Sequence, residues 1–233
     1  MAHKMELSKQ RENIVINNIS KYQEIDCNIV IDKIIKILEC EFNVKLVKEN
    51  SIKLKDIVDK LKVLYPDEDF FYYYNTSNMK PDGGLVYLVD KDMNKYPILI
   101  TEVKNQGTND MRIAKGLKPQ SLGNAIERLG KNVIGLRTYL LNESIFPFVC
   151  FGYGYDFKEG SSILDRVVTI AMFGKLNTTY LYNNGPFNRG SFYFRHEAWK
   201  NEEMYEILYK IAKSSIYYYF SKYGDECFMR EHN

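Results

Sequence analysis

The chain has 233 residues, of which 45% are apolar and 27% charged, so it can bury one core without disulfides or structural metals and is not intrinsically disordered. No apolar run approaches the roughly 18 residues of a membrane span, and the start MAHKMELSKQ has no hydrophobic signal region. A soluble, cytoplasmic protein with no membrane partner is expected. Cys27, Cys40, Cys150 and Cys227 lack CxxC spacing, and the histidines are His3, His196 and His232, two of them at chain ends. Zinc sites and histidine catalysis are therefore poorly supplied, and chemistry falls to carboxylates and lysines. The net charge of +2 is uneven. From Lys104 to Arg137 seven basic side chains face only Asp110 and Glu127, a balance of +5 where the remainder carries −3. That segment is a candidate anion-binding face, with a solvated charged surface as the common alternative.

Residues 8–64 read as helical. Apolar positions recur at Ile29, Ile31, Ile34, Ile35 and Leu38, then at Ile57, Val58, Leu61 and Leu64, with Ser51 as a cap and Pro66 as the stop. No long linker, repeat or low-complexity stretch follows, which predicts one domain over residues 1–233. Leu85–Val89 and Tyr96–Lys104 read as strands around a polar turn. Pairing Val89 with Tyr96 would place Asp82 opposite Val103, so that Glu102 and Lys104, on one face of the strand, converge on Asp82. Residues 105–123 are polar and read as loop with a short helical turn. A helix then starts near Asn124, with Ile126, Leu129, Val133, Leu136 and Leu140 forming one buried stripe. Strands are expected at 147–153, 167–173, 178–182 and 191–195, and a last helix from Asn201 to Lys222 with Met204, Ile207, Leu208 and Ile211 inward. The sum is α/β, a central mixed β-sheet flanked by helices.

Asp82 in PDGG and Glu102-Val103-Lys104 in ITEVKNQG, joined by that hairpin, are the ingredients of magnesium-dependent phosphodiester cleavage. Mg²⁺ takes oxygen ligands and keeps several waters, so two carboxylates and a backbone carbonyl, here that of Val103, can anchor it against a phosphate. The ion neutralises charge on the phosphate oxygens and activates a water, and a neighbouring lysine can orient that water or stabilise the transition state. The competing reading makes Asp82 a turn residue before Gly83-Gly84, and Glu102 and Lys104 an exposed strand pair. Tyr72–Tyr74 and Tyr217–Tyr219 read as core or interface aromatics rather than base-stacking sites. Trp199 and His196, just before the last helix, read as structural.

NTSNMKPDGG, ITEVKNQG, PQSLGNAIERLGKN and NESIFPFVCF, in this order and spacing, resemble the EcoRI-type restriction endonucleases over residues 50–175. A weaker likeness continues through HEAWKNEEMYEILY. The resemblance implies a restriction-endonuclease-like fold, Mg²⁺ held by Asp82 and Glu102, and Lys104 assisting the hydrolytic water. It also implies that Asn124, Ala125 and Arg128 reach the bases of an AATT core, roles an amide and a guanidinium can fill in the major groove. A helix cap for Asn124 and a phosphate contact for Arg128 are the ordinary alternatives. By the same resemblance Glu127 would hold recognition arginines at a dimer interface, Gln106 would lie near a thymine, and Arg166 would approach the outer guanine.

Two departures bear on the outer base pair: Gln120-Ser121-Leu122 is unlike the family's segment, and Thr169 stands where the family has a second arginine. The expectation is a type II restriction endonuclease cutting double-stranded DNA at a palindrome with an AATT core. GAATTC, cut after the first G to leave 5′ AATT overhangs, leads over RAATTY and CAATTG. A sequence-independent repair or junction nuclease with the same metal site is the alternative. A palindrome suits a homodimer, and a companion DNA methyltransferase acting on the same site is implied by the family.

Overall fold

The computed structural model describes residues 2–105, 108–118, 124–182 and 187–230, with 2–20, 108, 111, 124 and 125 described by backbone alone. Helix α1 (Ala2–Phe42) ends at Asn43, whose positive φ of 50° turns the chain into strand β1 (Lys45–Glu49). A short strand β2 (Ile52–Lys53) leads into α2 (Leu54–Leu64), and β3 (Asn78–Met79) pairs back on β2. Then come β4 (Gly84–Val89), β5 (Lys95–Asn105), α3 (Thr108–Ala114) and α4 (Asn124–Tyr139). The chain closes with β6 (Phe148–Tyr153), α5 (Ile163–Ile170), β7 (Ser191–Arg195) and α6 (Asn201–Tyr223).

The main sheet runs β1-β4-β5-β6-β7. Its first two pairings are antiparallel and its last two parallel. Side chains alternate across it and feed two cores. Val86, Leu88, Val103, Val149 and Phe151 pack with α1 and α6, through Ile31, Ile34, Leu38, Leu208 and Ile216. Leu85, Tyr87, Ile100, Phe148 and Cys150 pack on the other side with α2, α4 and α5, through Ile57, Leu129, Val133, Leu136 and Val167. The mixed α/β sheet flanked by helices is thus as expected, with helices on both faces. All five stripe positions are buried, Ile126, Leu129, Val133 and Leu136 on α4 and Leu140 just past its end.

Several local expectations are corrected. Residues 8–64 are not one helical block, because KLVKE forms β1 and edges the sheet beside β4. Ser51 does not cap α2: the N-cap position is Lys53, in extended conformation and without a side-chain cap bond. The stretch 167–173 is no strand but the end of α5 and the turn after it, with buried Ile163 and Val167 in the helix and Ala171 at its C-cap recurring every four residues. In 178–182 only Tyr182 makes a bridge, to Ile145. The last helix is as expected: Met204, Leu208 and Ile211 are buried, and Ile207 packs partly buried against the same core. Of the tyrosine runs, Tyr219 is core as expected, while the exposed Tyr73 and Tyr74 leave only the interface half of that reading.

The hairpin differs instructively. Near its turn Val89 pairs with Lys95 and Leu88 with Tyr96, one residue off the expected register. A β-bulge between Val86 and Tyr87 then takes up Ile98, and Ile98 and Leu99 both enter the α1/α6 core. From Val86↔Leu99 to Gly84↔Thr101 the register is the expected one, and it is this end that reaches Asp82.

Candidate active site

Pro81-Asp82-Gly83-Gly84 forms a turn closed by the Gly84 amide donating to the Pro81 carbonyl (3.0 Å). Gly84 sits at φ 72°, and a Cβ there would lie 2.6 Å from the Glu49 carbonyl oxygen, so both the turn and the approach of β1 require glycine. The Gly83 amide continues the ladder to the Thr101 carbonyl (2.9 Å). Asn28 of α1 donates to the Asp82 carbonyl (3.2 Å). Asp82 is thereby fixed in front of the emerging end of β5.

There the expected convergence is realised. The Val103 amide donates to Asp82 Oδ2 (3.1 Å), and the Asp82 amide donates to Glu102 Oε2 (3.1 Å). Lys104 Nζ lies 2.9 Å from Asp82 Oδ2, 2.5 Å from Glu102 Oε1 and 3.1 Å from the Val103 carbonyl oxygen. One ammonium thus touches all three oxygens that the sequence nominated as metal ligands. Glu102 is 1% exposed. Burial raises the pKa of its carboxyl, the charge of Asp82 adds to this, and Lys104 opposes it. Burial works against the Lys104 ammonium, yet Glu102 and Asp82 outweigh it and hold the lysine protonated above its ordinary value. Cys150, paired with Glu102 across β5 and β6, is fully buried and its thiol is pushed well up.

A cation-shaped meeting point of two carboxylates and a carbonyl fits a hard divalent ion, and the lysine ammonium stands at that point. Among the described residues no group of three or more His, Cys, Asp or Glu side chains could cage a metal. An ion here would keep water and substrate oxygens in its remaining positions, as Mg²⁺ prefers.

The other nominated residues are more scattered. Asn124 and Ala125 open α4, but their side chains, like the whole of Gln106, lie outside what the structure describes. Glu127 and Arg128 are exposed on α4's first turns. Arg166 is exposed on α5. With Thr169, Glu127, Ile126, Gly130 and Ile170 it lines a cleft of about 450 Å³ between the two helices. Of the basic segment, Arg112 donates to the Lys118 carbonyl (2.8 Å) and Arg137 to the Arg189 carbonyl (3.3 Å). Lys131 is exposed beside Arg128. Trp199 is structural as expected, its indole donating to the Gly152 carbonyl (3.1 Å), while His196 meets Asp110 (2.9 Å).

Two contacts escaped the sequence reading. Asn132 Nδ2 donates to Glu102 Oε1 (3.1 Å), and its signal was available: it follows Arg128 and Asn124 at intervals of four on one strip of α4. The Asn28 contact joins residues 54 positions apart and leaves no local signature.

The profile of restriction endonuclease EcoRI matches residues 9–226, nearly the whole chain. The chain belongs to the EcoRI restriction endonuclease family. The type II restriction enzyme RsrI of Cereibacter sphaeroides is 29% identical over 210 residues, covering 75% of this chain and 76% of RsrI. The type II restriction enzyme EcoRI of Escherichia coli is 33% identical over 148 residues, covering 60% of this chain and 51% of EcoRI. Within the EcoRI family this chain is a type II restriction endonuclease, and the family match spans both the PDGG turn and the start of α4. Among the described residues no helix is long and apolar enough to cross a membrane.

Proposed function

We propose that this single-domain protein, acting in the cytoplasm as a homodimer, hydrolyses double-stranded DNA at a palindrome with an AATT core, using Mg²⁺ held by Asp82, Glu102 and the Val103 carbonyl. The observation that carries the metal assignment is the contact of one ammonium with those three oxygens. When bound, Mg²⁺ supplies neutralisation of charge on the phosphate oxygens and a more acidic water. Asp82 and Glu102 hold the ion from two elements that the hairpin register keeps together. Lys104 keeps a fixed positive charge beside them, suited to orienting the hydrolytic water and stabilising the developing charge. A twofold axis through the palindrome lets each subunit cut one strand.

Base reading falls to Asn124, Ala125 and Arg128 at the start of α4, with Gln106 near a thymine. Arg128's exposure, one turn before the residue that contacts Glu102, supports this placement. Glu127 is suited to holding recognition arginines between subunits, and it shares the interhelical cleft with Arg166, the candidate for the outer base pair. The leading site is GAATTC, cut after the first G. A second reading, RAATTY or CAATTG, is favoured by Thr169: its hydroxyl donates to the Asp165 carbonyl (2.9 Å), which leaves a methyl group where the family carries an arginine. A companion methyltransferase modifying the same site would protect the host.

Digestion of plasmid DNA with the protein and Mg²⁺, followed by sequencing of the ends, tests the activity, the recognition site and the cut position. Ends carrying 5′ AATT overhangs are expected, and the flanking base reports the outer pair. Sequence-independent ends would instead indicate a repair or junction nuclease built on the same metal site.

A further inference from the structure

We propose that Asn132 is a positioning residue that fixes the Glu102 carboxylate for metal binding and ties it to helix α4. The proposal rests on the reading of Glu102 as a metal ligand. Glu102 is buried, and an ionised carboxylate in such surroundings needs its lone pairs satisfied. Three donors serve it: the Asp82 amide on Oε2, and Lys104 Nζ and Asn132 Nδ2 on Oε1. Lys104 is the donor that a divalent cation has to replace at the meeting point. The Asp82 amide and the Asn132 amide are then the contacts that set the direction in which Glu102 presents its oxygens.

Asn132 can hold that direction because its own backbone is anchored. Leu129, Val133 and Leu136 on either side of it are buried in the core between α4 and the sheet. Its strip is shared with Asn124 and Arg128, eight and four residues earlier. The same rigid element therefore carries the candidate base-reading residues at one end and a hydrogen bond to the carboxylate two turns later. A shift of α4 on an incorrect site would displace the Asn132 amide from Glu102 and weaken the metal site, with no further moving part needed. Outer contacts of this kind typically change metal affinity or activity roughly 10–100-fold when removed.

The test uses N132A and N132L, the second keeping the branched side-chain shape while removing the donor, and E102Q as a reference. Four readouts are taken: Mn²⁺ affinity of the protein bound to a duplex carrying its mapped site, by electron paramagnetic resonance; metal-free affinity for that duplex; the thermal midpoint; and steady-state kcat and KM as Mg²⁺ is varied. Both Asn132 variants are expected to bind Mn²⁺ roughly 10–100-fold more weakly and to need correspondingly more Mg²⁺ for half-maximal kcat. KM and duplex affinity should stay near wild type, and the thermal midpoint should fall only by the few degrees that one lost hydrogen bond to a buried carboxylate costs. Wild-type Mn²⁺ affinity in N132A and N132L, with E102Q impaired, would overturn the inference and leave the metal site standing. Loss of Mn²⁺ binding in step with duplex affinity and thermal midpoint would also overturn it, since that marks a merely structural amide. Wild-type Mn²⁺ affinity in E102Q would overturn the underlying reading of Glu102.

Discussion

Replacing Lys104 by methionine keeps the length and much of the volume of the side chain while removing the charge that Asp82 and Glu102 share. The lysine is 15% exposed, Asp82 25% and Glu102 2% by side chain, so the cluster is partly shielded from water. Removing one partner of a buried ion pair costs about 3–5 kcal/mol. Because Asp82 retains some solvent and Glu102 can take up a proton, the lower figure, about 3 kcal/mol, is the appropriate one. For a chain of this size that corresponds to a fall of about 6–12 °C in thermal midpoint. The loss should be largely reversed by millimolar Mg²⁺, which fills the position the ammonium left and stabilises by mass action. Wild type should respond far less, since there the ion only exchanges with a charge already present. Circular dichroism melts in EDTA and in Mg²⁺ measure both. A K104M variant melting within about 2 °C of wild type in EDTA, or one that Mg²⁺ fails to rescue, would refute the idea that the ammonium stands in for a metal.

Arg128→Ala should lose about 1–3 kcal/mol of discrimination between the mapped site and single-base variants in competition binding, whereas uniform weakening on all sequences would mark a phosphate contact instead. Gly83→Ala would bring a Cβ within 2.8 Å of both Ile31 Cδ1 and Thr101 Cβ, so it should cost about 1–3 kcal/mol in denaturant melts and reduce cleavage by displacing Asp82. Glu203, hydrogen-bonded by Arg195 and the Lys200 amide, has its carboxyl pulled down to about 2. A lowered carboxyl contributes stability above its ordinary value of 4.5 and loses it as pH falls toward about 2. Since the pair is solvent-screened, Glu203→Gln should cost about 1 kcal/mol at neutral pH, and the gap to wild type should close across that acid range.

The candidate site was legible because its parts are local. A period of two puts Glu102 and Lys104 on one side of β5, and a short turn brings Asp82 back within reach. The register error at the turn did no harm, because the extra residue Ile98 restored the pairing before the chain reached Gly84. What was misread had weaker local grammar. VVTIAMF is rich in β-branched residues, and its helical stripe begins only at Ile163, outside the window read as a strand. β1 is only five residues long and its KLVKE shows no period of two, so its identity depends on pairing with β4, about 40 residues away in sequence. Asn43 just before it was the available punctuation, an asparagine in the left-handed region ending α1.

The central claim is that a divalent ion sits among Asp82, Glu102 and the Val103 carbonyl beside DNA. Crystals of the protein with its mapped duplex, grown with Mn²⁺ and measured at the manganese edge, test it most directly. An anomalous peak is expected within bonding distance of those three oxygens, with Lys104 Nζ no longer bridging them. A peak elsewhere, or none while the ammonium keeps all three contacts, would contradict it.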